Sequence, residues 1–288
     1  MEEKLKIATR QSYGEKLAEL GEKNRKIVVL DADLSGATKT NIFAKKFPDR
    51  FIDVGIAEQN MFGIAAGLST FGKIPYASTF AMFAAGRGYD QIRNSICYPK
   101  LNVKICATHA GITVGEDGAT HQMLEDIGMM RQIPNMTVIS PSDDTQTKWV
   151  IKEISKIQGP VYVRLSRLAT PVIYDEDEKF EIGKAVQIGK GTDATIFATG
   201  VTVSEALKAK EILEKEGMKG KYGFYESIDY TPERLEKGKK SEPVKTYMAH
   251  HQALILLSLN NYFNNQIFQK RFSQNAEIEA CLLYTSPS

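Results

Sequence analysis

Between Lys26 and Ser166 the chain alternates short apolar runs with longer stretches of helical spacing, and this rhythm constrains its fold more than any other feature. The runs are KIVVLDADL, RFIDVG, PYASTF, VKICATHA, MTVISP and PVYVRLS. Their centres are close to continuous in apolar residues, as in strands buried on both faces. Between them lie helix candidates at about residues 38–46, 57–70, 83–97, 121–132 and 142–158, the last opening on Pro141 and a capping Ser142 before Asp143 and Asp144. The alternation predicts an α/β fold, a doubly wound and mostly parallel sheet with helices on both faces. Such sheets bind ligands beyond the carboxyl ends of their strands, so the residues just after each run are the ones to read for chemistry.

Charge excludes two classes of partner. Lys and Arg number 37 against 35 Asp and Glu, and this balance makes no field that would hold a nucleic-acid backbone or an anionic membrane surface. The most apolar stretch, Ala253 to Leu259, is far shorter than the roughly 20 residues a bilayer needs, and the opening MEEKLKIATR is charged where a signal peptide turns apolar. A cytosolic setting is expected. Cys97, Cys106 and Cys281 lie too far apart for a metal knuckle, and they read as reduced thiols, the first two as small core residues.

After Arg167 the alternation stops. The segment through residue 191 carries the acidic run Asp175 to Glu178 and reads as a solvated linker. DATIFATG then predicts a strand, and VTVSEALKAKEILEKEG a crossover helix ending at Gly217. The last 71 residues do not continue that unit: they hold only three of the 22 glycines, and the strand–helix rhythm is gone. An unusual further domain and a foreign sequence joined near Met218 are the two readings open at this point.

Four strand ends gather unusual side chains. RFIDVG leads into Glu58, a carboxylate where a strand gives way to a helix; on position alone its simplest role is to face the helix dipole. Phe80 and Phe83 follow PYASTF three residues apart, on one face if the chain turns helical, as core or as an aromatic wall for a planar heterocycle. In ATHAGITVGEDGATHQ, His109, Asp117 and His121 share one glycine-rich stretch holding the two histidines of the first 217 residues. Such histidines suit hydrogen bonding and proton exchange with sugar hydroxyls, and their 12-residue gap matches no compact metal spacing. Arg164 and Arg167 close PVYVRLS; a guanidinium there can hold a phosphate, although Arg164 reads first as an exposed salt bridge.

Taken in order, DVGIAEQNM, STFAMFAAGRGYDQIR, ATHAGITVGEDGATHQ, IPNMTVISPSD and RLSR resemble the pyrimidine-binding half of the transketolase family of thiamine diphosphate enzymes, over about residues 5–217. The resemblance implies that Glu58 hydrogen-bonds the cofactor's aminopyrimidine and favours the imino tautomer that removes the thiazolium proton, with Phe80 and Phe83 building an apolar pocket around the ring. It further implies that His109 and His121 face the sugar carbonyl and hydroxyls, Asp117 a substrate hydroxyl and Arg167 the terminal phosphate. The activity implied is transfer of a two-carbon ketol unit from a ketose phosphate to an aldose phosphate.

The same resemblance implies a partner. The family holds the cofactor's diphosphate through Mg²⁺ with a GDG motif followed by Asn, and no GDG occurs here; the EDG at Glu116 to Gly118 lies in the sugar loop. Metal and diphosphate are expected on an N-terminal subunit carrying GDG and Asn, in a hetero-oligomer of two of each chain that is inactive as this chain alone. Asp31 departs from the Ser that many full-length members place near the substrate phosphate, where a carboxylate repels unless paired. A rival, 1-deoxyxylulose-5-phosphate synthase, shares DVGIAEQ but usually has an Asp-Arg pair where Thr108 and His109 stand; the beta subunit of a 2-oxo acid dehydrogenase lacks the THQ element. A non-catalytic binding subunit or broken pseudoenzyme stands in another class, against which the retained Glu58, phenylalanines and histidines weigh.

Residues 222–272, with YGFYESIDYTPERL and YMAHHQALILLSLNN, resemble a piece of the cyclic β-1,2-glucan synthase and glycoside phosphorylase group, and CLLYTSPS resembles translated adapter sequence. His250 and His251 would lack the barrel that makes a site in that group and are assigned no role. The expected organisation is a pyrimidine-binding domain over 1–170, a linker over 171–191, the truncated start of a third domain over 192–217, a foreign fragment over 218–280 and adapter residues over 281–288. Its expected structure is a complete α/β layer, an orphaned strand and helix, and a tail of poorly packed helix and coil.

Overall fold

The computed structural model describes residues 5–189, 195–215, 217–220, 223–225 and 227–245. By contacts the chain divides into two units, residues 1–189 with 196–208, and residues 190–195 with 209–288. The first holds β1 (Lys6–Ala8), α1 (Thr9–Lys23), β2 (Ile27–Asp31), α2 (Ser35–Thr38), α3 (Asn41–Lys46), β3 (Phe51–Asp53), α4 (Glu58–Thr70), β4 (Ile74–Phe80), β5 (Lys104–Thr108), α5 (Asp126–Arg131), β6 (Thr137–Ile139), α6 (Asp144–Ile154), β7 (Val161–Arg164) and β8 (Ala169–Pro171). Six strands form one parallel sheet in the order β3-β2-β4-β5-β7-β6, and β1 pairs antiparallel with β8 in a separate ladder.

Every residue of β2, β4 and β5 is buried, which explains the continuous apolar runs that mark them in the sequence. Successive residues serve opposite layers. Val28 and Leu30 pack with Met61, Phe62, Ile92 and Ile96, whereas Ile27 and Val29 pack with Tyr13, Leu17, Phe43 and Ile151. Cys97 and Cys106 are buried free thiols, one in each layer, and burial pushes both up to about 12.

Several elements differ from the sequence reading. Helix α1 precedes the first apolar run and buries Tyr13, Leu17 and Leu20 one turn apart, a face diluted in the sequence by Gly14 and Gly21. Those glycines are required by space: a Cβ at Gly14 would lie 2.4 Å from the Lys39 carbonyl, and one at Gly21 would lie 2.5 Å from the Phe43 ring. The helix expected at 38–46 breaks into α2 and α3 because Lys39 takes φ 72°, with Thr38 and Thr40 tied to Asp31 instead. The helix expected at 83–97 is two π-helical turns, Phe83–Arg87 and Gln91–Cys97, and 121–132 narrows to α5 because Met123 exchanges backbone hydrogen bonds with Gly111 instead. At α6 the cap is Asp143, not Ser142. One carboxylate oxygen accepts from Gln146 N at 2.8 Å and the other from the amides of Ile173 and Tyr174, a double task a hydroxyl cannot perform.

That bond also anchors residues read as linker: Tyr174 and Phe180 pack edge to face, with Phe180 beside Trp149, while Asp175 to Glu178 are exposed. The crossover helix forms as α7 (Thr202–Lys215), but Thr195–Thr199, the described end of DATIFATG, is not in a strand and joins no ladder among the described residues. In the second unit the described tail makes two antiparallel pairs, β9 (Lys219–Gly220) with β10 (Gly223–Phe224) and β11 (Ser227–Asp229) with β12 (Glu242–Val244), where helix and coil were expected. The turn between β11 and β12 accounts for the second pair, starting with Asp229 accepting from Thr231 N at 2.8 Å and bending at Gly238, φ 94°. His250, His251 and residues 281–288 lie outside the described residues. No described helix is long and apolar enough to cross a membrane.

Candidate active site

The side chains singled out in the sequence collect at the carboxyl ends of β3, β4, β5 and β7. Glu58 is the first residue of α4, after a turn made by Gly55 at φ 71°. Its side chain is 4% exposed, yet one carboxylate oxygen accepts from Arg87 Nη1 at 2.9 Å at the wall of a cavity of about 480 Å³. Ile56, Ala57, Gln59 and Asn60 complete that wall. Glu58 stands in the first turn of α4, where a carboxylate faces the helix dipole, and it does so buried rather than in water.

Phe80 ends β4 and Phe83 starts the first π-helical turn, and their rings stack with centroids 5.6 Å apart. Phe80 also stacks on His109 at 3.8 Å, and His121 sets its ring edgewise to both phenylalanines, 6.1 and 5.3 Å away. On the far side, the Arg87 guanidinium lies 4.1 Å over Phe83. Glu58, Arg87, Phe83, Phe80 and His109 thus form one continuous line of contacts.

His109 follows β5 in the left-handed region, φ 57°, and is 2% exposed. Arg10 Nη1 lies 3.3 Å from its Nε2 and Thr108 Oγ1 2.9 Å from its Nδ1. A guanidinium only donates, so Nε2 accepts and the ring proton sits on Nδ1. Burial, then the Arg10 charge, push the imidazole down to about 4, so it is neutral near pH 7. Asp117 opposes both effects from the same loop, and a bridge between Gly111 and Met123 closes that loop. His121 is half-buried with Nδ1 2.9 Å from Thr120 Oγ1.

Arg167 donates to Glu116 at 2.7 Å and fills the space beside Gly115, where a Cβ would come within 2.0 Å of Nη1. Its charge reaches Arg10 and His109. Arg164 does not join them: its Nε donates to the fully buried Asp126 at 2.9 Å, so the expected surface salt bridge is an interior one that ties β7 to α5. Asp31 is likewise withdrawn. It is fully buried and accepts from Leu34 N, Thr38 Oγ1 and Thr40 Oγ1, so its carboxylate is hydrogen-bonded within the segment 34–40 that follows β2.

Sequence reasoning missed Arg10 and Arg87. Arg87 carried a signal, since it follows Phe83 by four residues, the spacing of a helical pair. Arg10 carried none, because it lies 99 positions from the histidine it touches.

Residues 5–172 match the family model described as "Transketolase, pyrimidine binding domain", and residues 191–276 match one described as "Putative glucoamylase". A "Putative transketolase C-terminal section" of Methanocaldococcus jannaschii is 56% identical over 233 residues, covering 80% of this chain and 74% of that protein. Transketolase of Homo sapiens is 42% identical over 214 residues, 73% of this chain but 34% of its own length, so the chain spans about a third of the full-length human enzyme. Among solved structures, "Split gene transketolase, inactive beta4 tetramer" is 57% identical with a TM-score of 0.67, covering 73% of this chain and 69% of that one. With its carboxylate, aromatic pair and histidines at neighbouring strand ends of a parallel sheet, the chain belongs to the transketolase family, whose pyrimidine-binding domain it carries.

Proposed function

We propose that this chain is the pyrimidine-binding subunit of a two-chain transketolase, which moves a two-carbon ketol unit from a ketose phosphate to an aldose phosphate. The observation that carries the reading is Phe80, whose ring stacks on Phe83 toward Glu58 and on His109 toward the sugar loop, joining a cofactor wall to a substrate wall. Family membership implies dependence on thiamine diphosphate. The residues present fit the aminopyrimidine: a buried carboxylate that lines a cavity and is joined through Arg87 to a stacked aromatic pair. When bound, thiamine diphosphate supplies the nucleophilic carbon that accepts the ketol unit.

The chain's own residues do the rest. Glu58 holds a proton at a ring nitrogen and exchanges it, a task that needs a water-poor carboxyl. Phe80 and Phe83 form the apolar wall that excludes water. His109, neutral near pH 7 with a lone pair at Nε2, and His121 bind and orient the donor's oxygens, and Asp117 accepts from a hydroxyl. Arg10 and Arg167 form the phosphate end, where Arg10 Nε is buried without a protein partner among the described residues.

Mg²⁺ and the diphosphate fall to an N-terminal subunit bearing GDG and Asn, in an assembly of two of each chain. The similar split-gene chain described as an inactive beta4 tetramer supports this division. The cytosol is the compartment we assign, consistent with buried free thiols at Cys97 and Cys106. Ketol transfer assayed with this chain, the GDG-bearing subunit, thiamine diphosphate and Mg²⁺ tests the proposal. Activity should require both chains, and strong turnover by this chain alone overturns the division of labour.

We further infer that the C-terminal part is foreign to the transketolase gene. The glucoamylase match begins at residue 191, upstream of Met218, while the M. jannaschii match covers 80% of the chain and so runs past Met218; the two bracket the join rather than fixing it. Long-read sequencing from the codon for Gly189 through that for Pro232 decides it, one uninterrupted native gene being the result against it.

A further inference from the structure

Resting on the transketolase reading, we propose that Asp31 is a positioning residue for the phosphate end of the site, holding the segment 34–40 after β2 so that its Ala37 carbonyl keeps Arg10 on His109. Asp31 is the last residue of β2 and is fully buried with no cationic partner among its hydrogen bonds. A buried carboxylate is costly unless its oxygens are satisfied. All three of its donors come from the one segment 34–40, which includes α2: Leu34 N at 2.7 Å on Oδ1, with Thr38 Oγ1 at 2.7 Å and Thr40 Oγ1 at 2.8 Å on Oδ2. The bonds therefore fix that segment, which also holds the left-handed Lys39.

Among the hydrogen bonds of the described residues, this segment meets Arg10 at Ala37 O. Ala37 O accepts from Arg10 Nη1 at 2.9 Å, and the same nitrogen lies 3.3 Å from His109 Nε2. One guanidinium nitrogen is thus held between a carbonyl that Asp31 positions and an imidazole that faces the sugar loop. A residue of purely structural importance at Asp31 would affect stability and all substrates alike. A positioning residue affects those that need Arg10.

The test uses Asp31→Asn and the milder Thr40→Val in the full chain, assembled with the GDG-bearing subunit and assayed with a ketose phosphate and with hydroxypyruvate, a ketol donor without phosphate. Asp31→Asn should raise KM for the ketose phosphate about tenfold, the loss of one charge-assisted contact, and raise that for hydroxypyruvate, which meets His109 but carries no phosphate, by a smaller factor. Thr40→Val should move the same constant less. A rise shared equally by both donors, or no change in a folded variant, overturns the proposal. A second readout needs no activity: ring-nitrogen NMR of the full chain should show His109 protonated at Nδ1 in the wild type and shifted toward a tautomer mixture in Asp31→Asn. Should the assembled wild type transfer no ketol unit, the transketolase reading fails by itself. Unchanged His109 nitrogen signals in Asp31→Asn overturn the Asp31 proposal in either case.

Discussion

Arg87 donates to Glu58 at 2.9 Å while its guanidinium covers the Phe83 ring, so one half-exposed side chain touches both the buried carboxylate and the aromatic wall. The contact ranks two substitutions. Glu58→Gln in the assembled enzyme should cut turnover at least about a hundredfold, the scale of lost acid–base catalysis. Arg87→Met loses a contact partly screened by water, worth about 1 kcal/mol, and should cost about fivefold. Steady-state kinetics of both variants check the ranking, and an unimpaired Glu58→Gln would return Glu58 to a structural role.

The pH dependence of stability should separate His109 from Asp31. His109 is down to about 4 in the fold against an ordinary 6.5, so the unfolded chain takes the proton first. Its contribution is complete above about pH 6.5 and is lost as pH falls toward 4. Asp31 is pushed by burial from 3.8 to about 6, so its contribution is complete below about 3.8 and is lost as pH rises through 6. Relative to wild type, the melting temperature of His109→Gln should therefore fall as pH rises from 4 to 6.5, and that of Asp31→Asn should rise. Calorimetry across that pH range reads both slopes, and two parallel curves would contradict the assignment.

Gly115→Ala should damage substrate handling. The residue sits at φ 74° and its new Cβ would meet Arg167 Nη1 at 2.0 Å, so the loop must strain by about 1–2 kcal/mol and the guanidinium must leave. KM for a phosphorylated donor should rise about tenfold with cofactor affinity retained; loss of cofactor binding instead would place the loop elsewhere in the site.

Lys104→Met should do the reverse. The fully buried Lys104 donates to the Ile157 and Gly159 carbonyls at the amino end of β5, and burial lowers it to about 8. Removing it orphans two carbonyls and should destabilise the chain by about 2 kcal/mol, seen in urea titration. Turnover at permissive temperature should be unchanged, because His109 lies beyond the opposite end of the same strand.

Burial on both faces makes β2, β4, β5 and β7 legible as apolar runs, and motif order led to Glu58, Phe80, Phe83, His109, His121, Asp117 and Arg167. Helix α1 was not legible, since its contacts use glycines whose value is space, not hydrophobicity. The π-helical turns at 83–97 were read as ordinary helix, because residue types do not distinguish the two registers.

Local periodicity specifies the layered sheet, and the residue types just after each apolar run specify which strand ends bear chemistry. Which groups are paired is set by packing. It turns Asp31 inward onto donors of the segment 34–40 and Arg164 onto Asp126, and it brings Arg10 onto His109 and Arg87 onto Glu58. Such pairings join residues that the sheet's crossovers bring side by side, and whether a charge is buried and satisfied depends on that packing rather than on its neighbours in the chain.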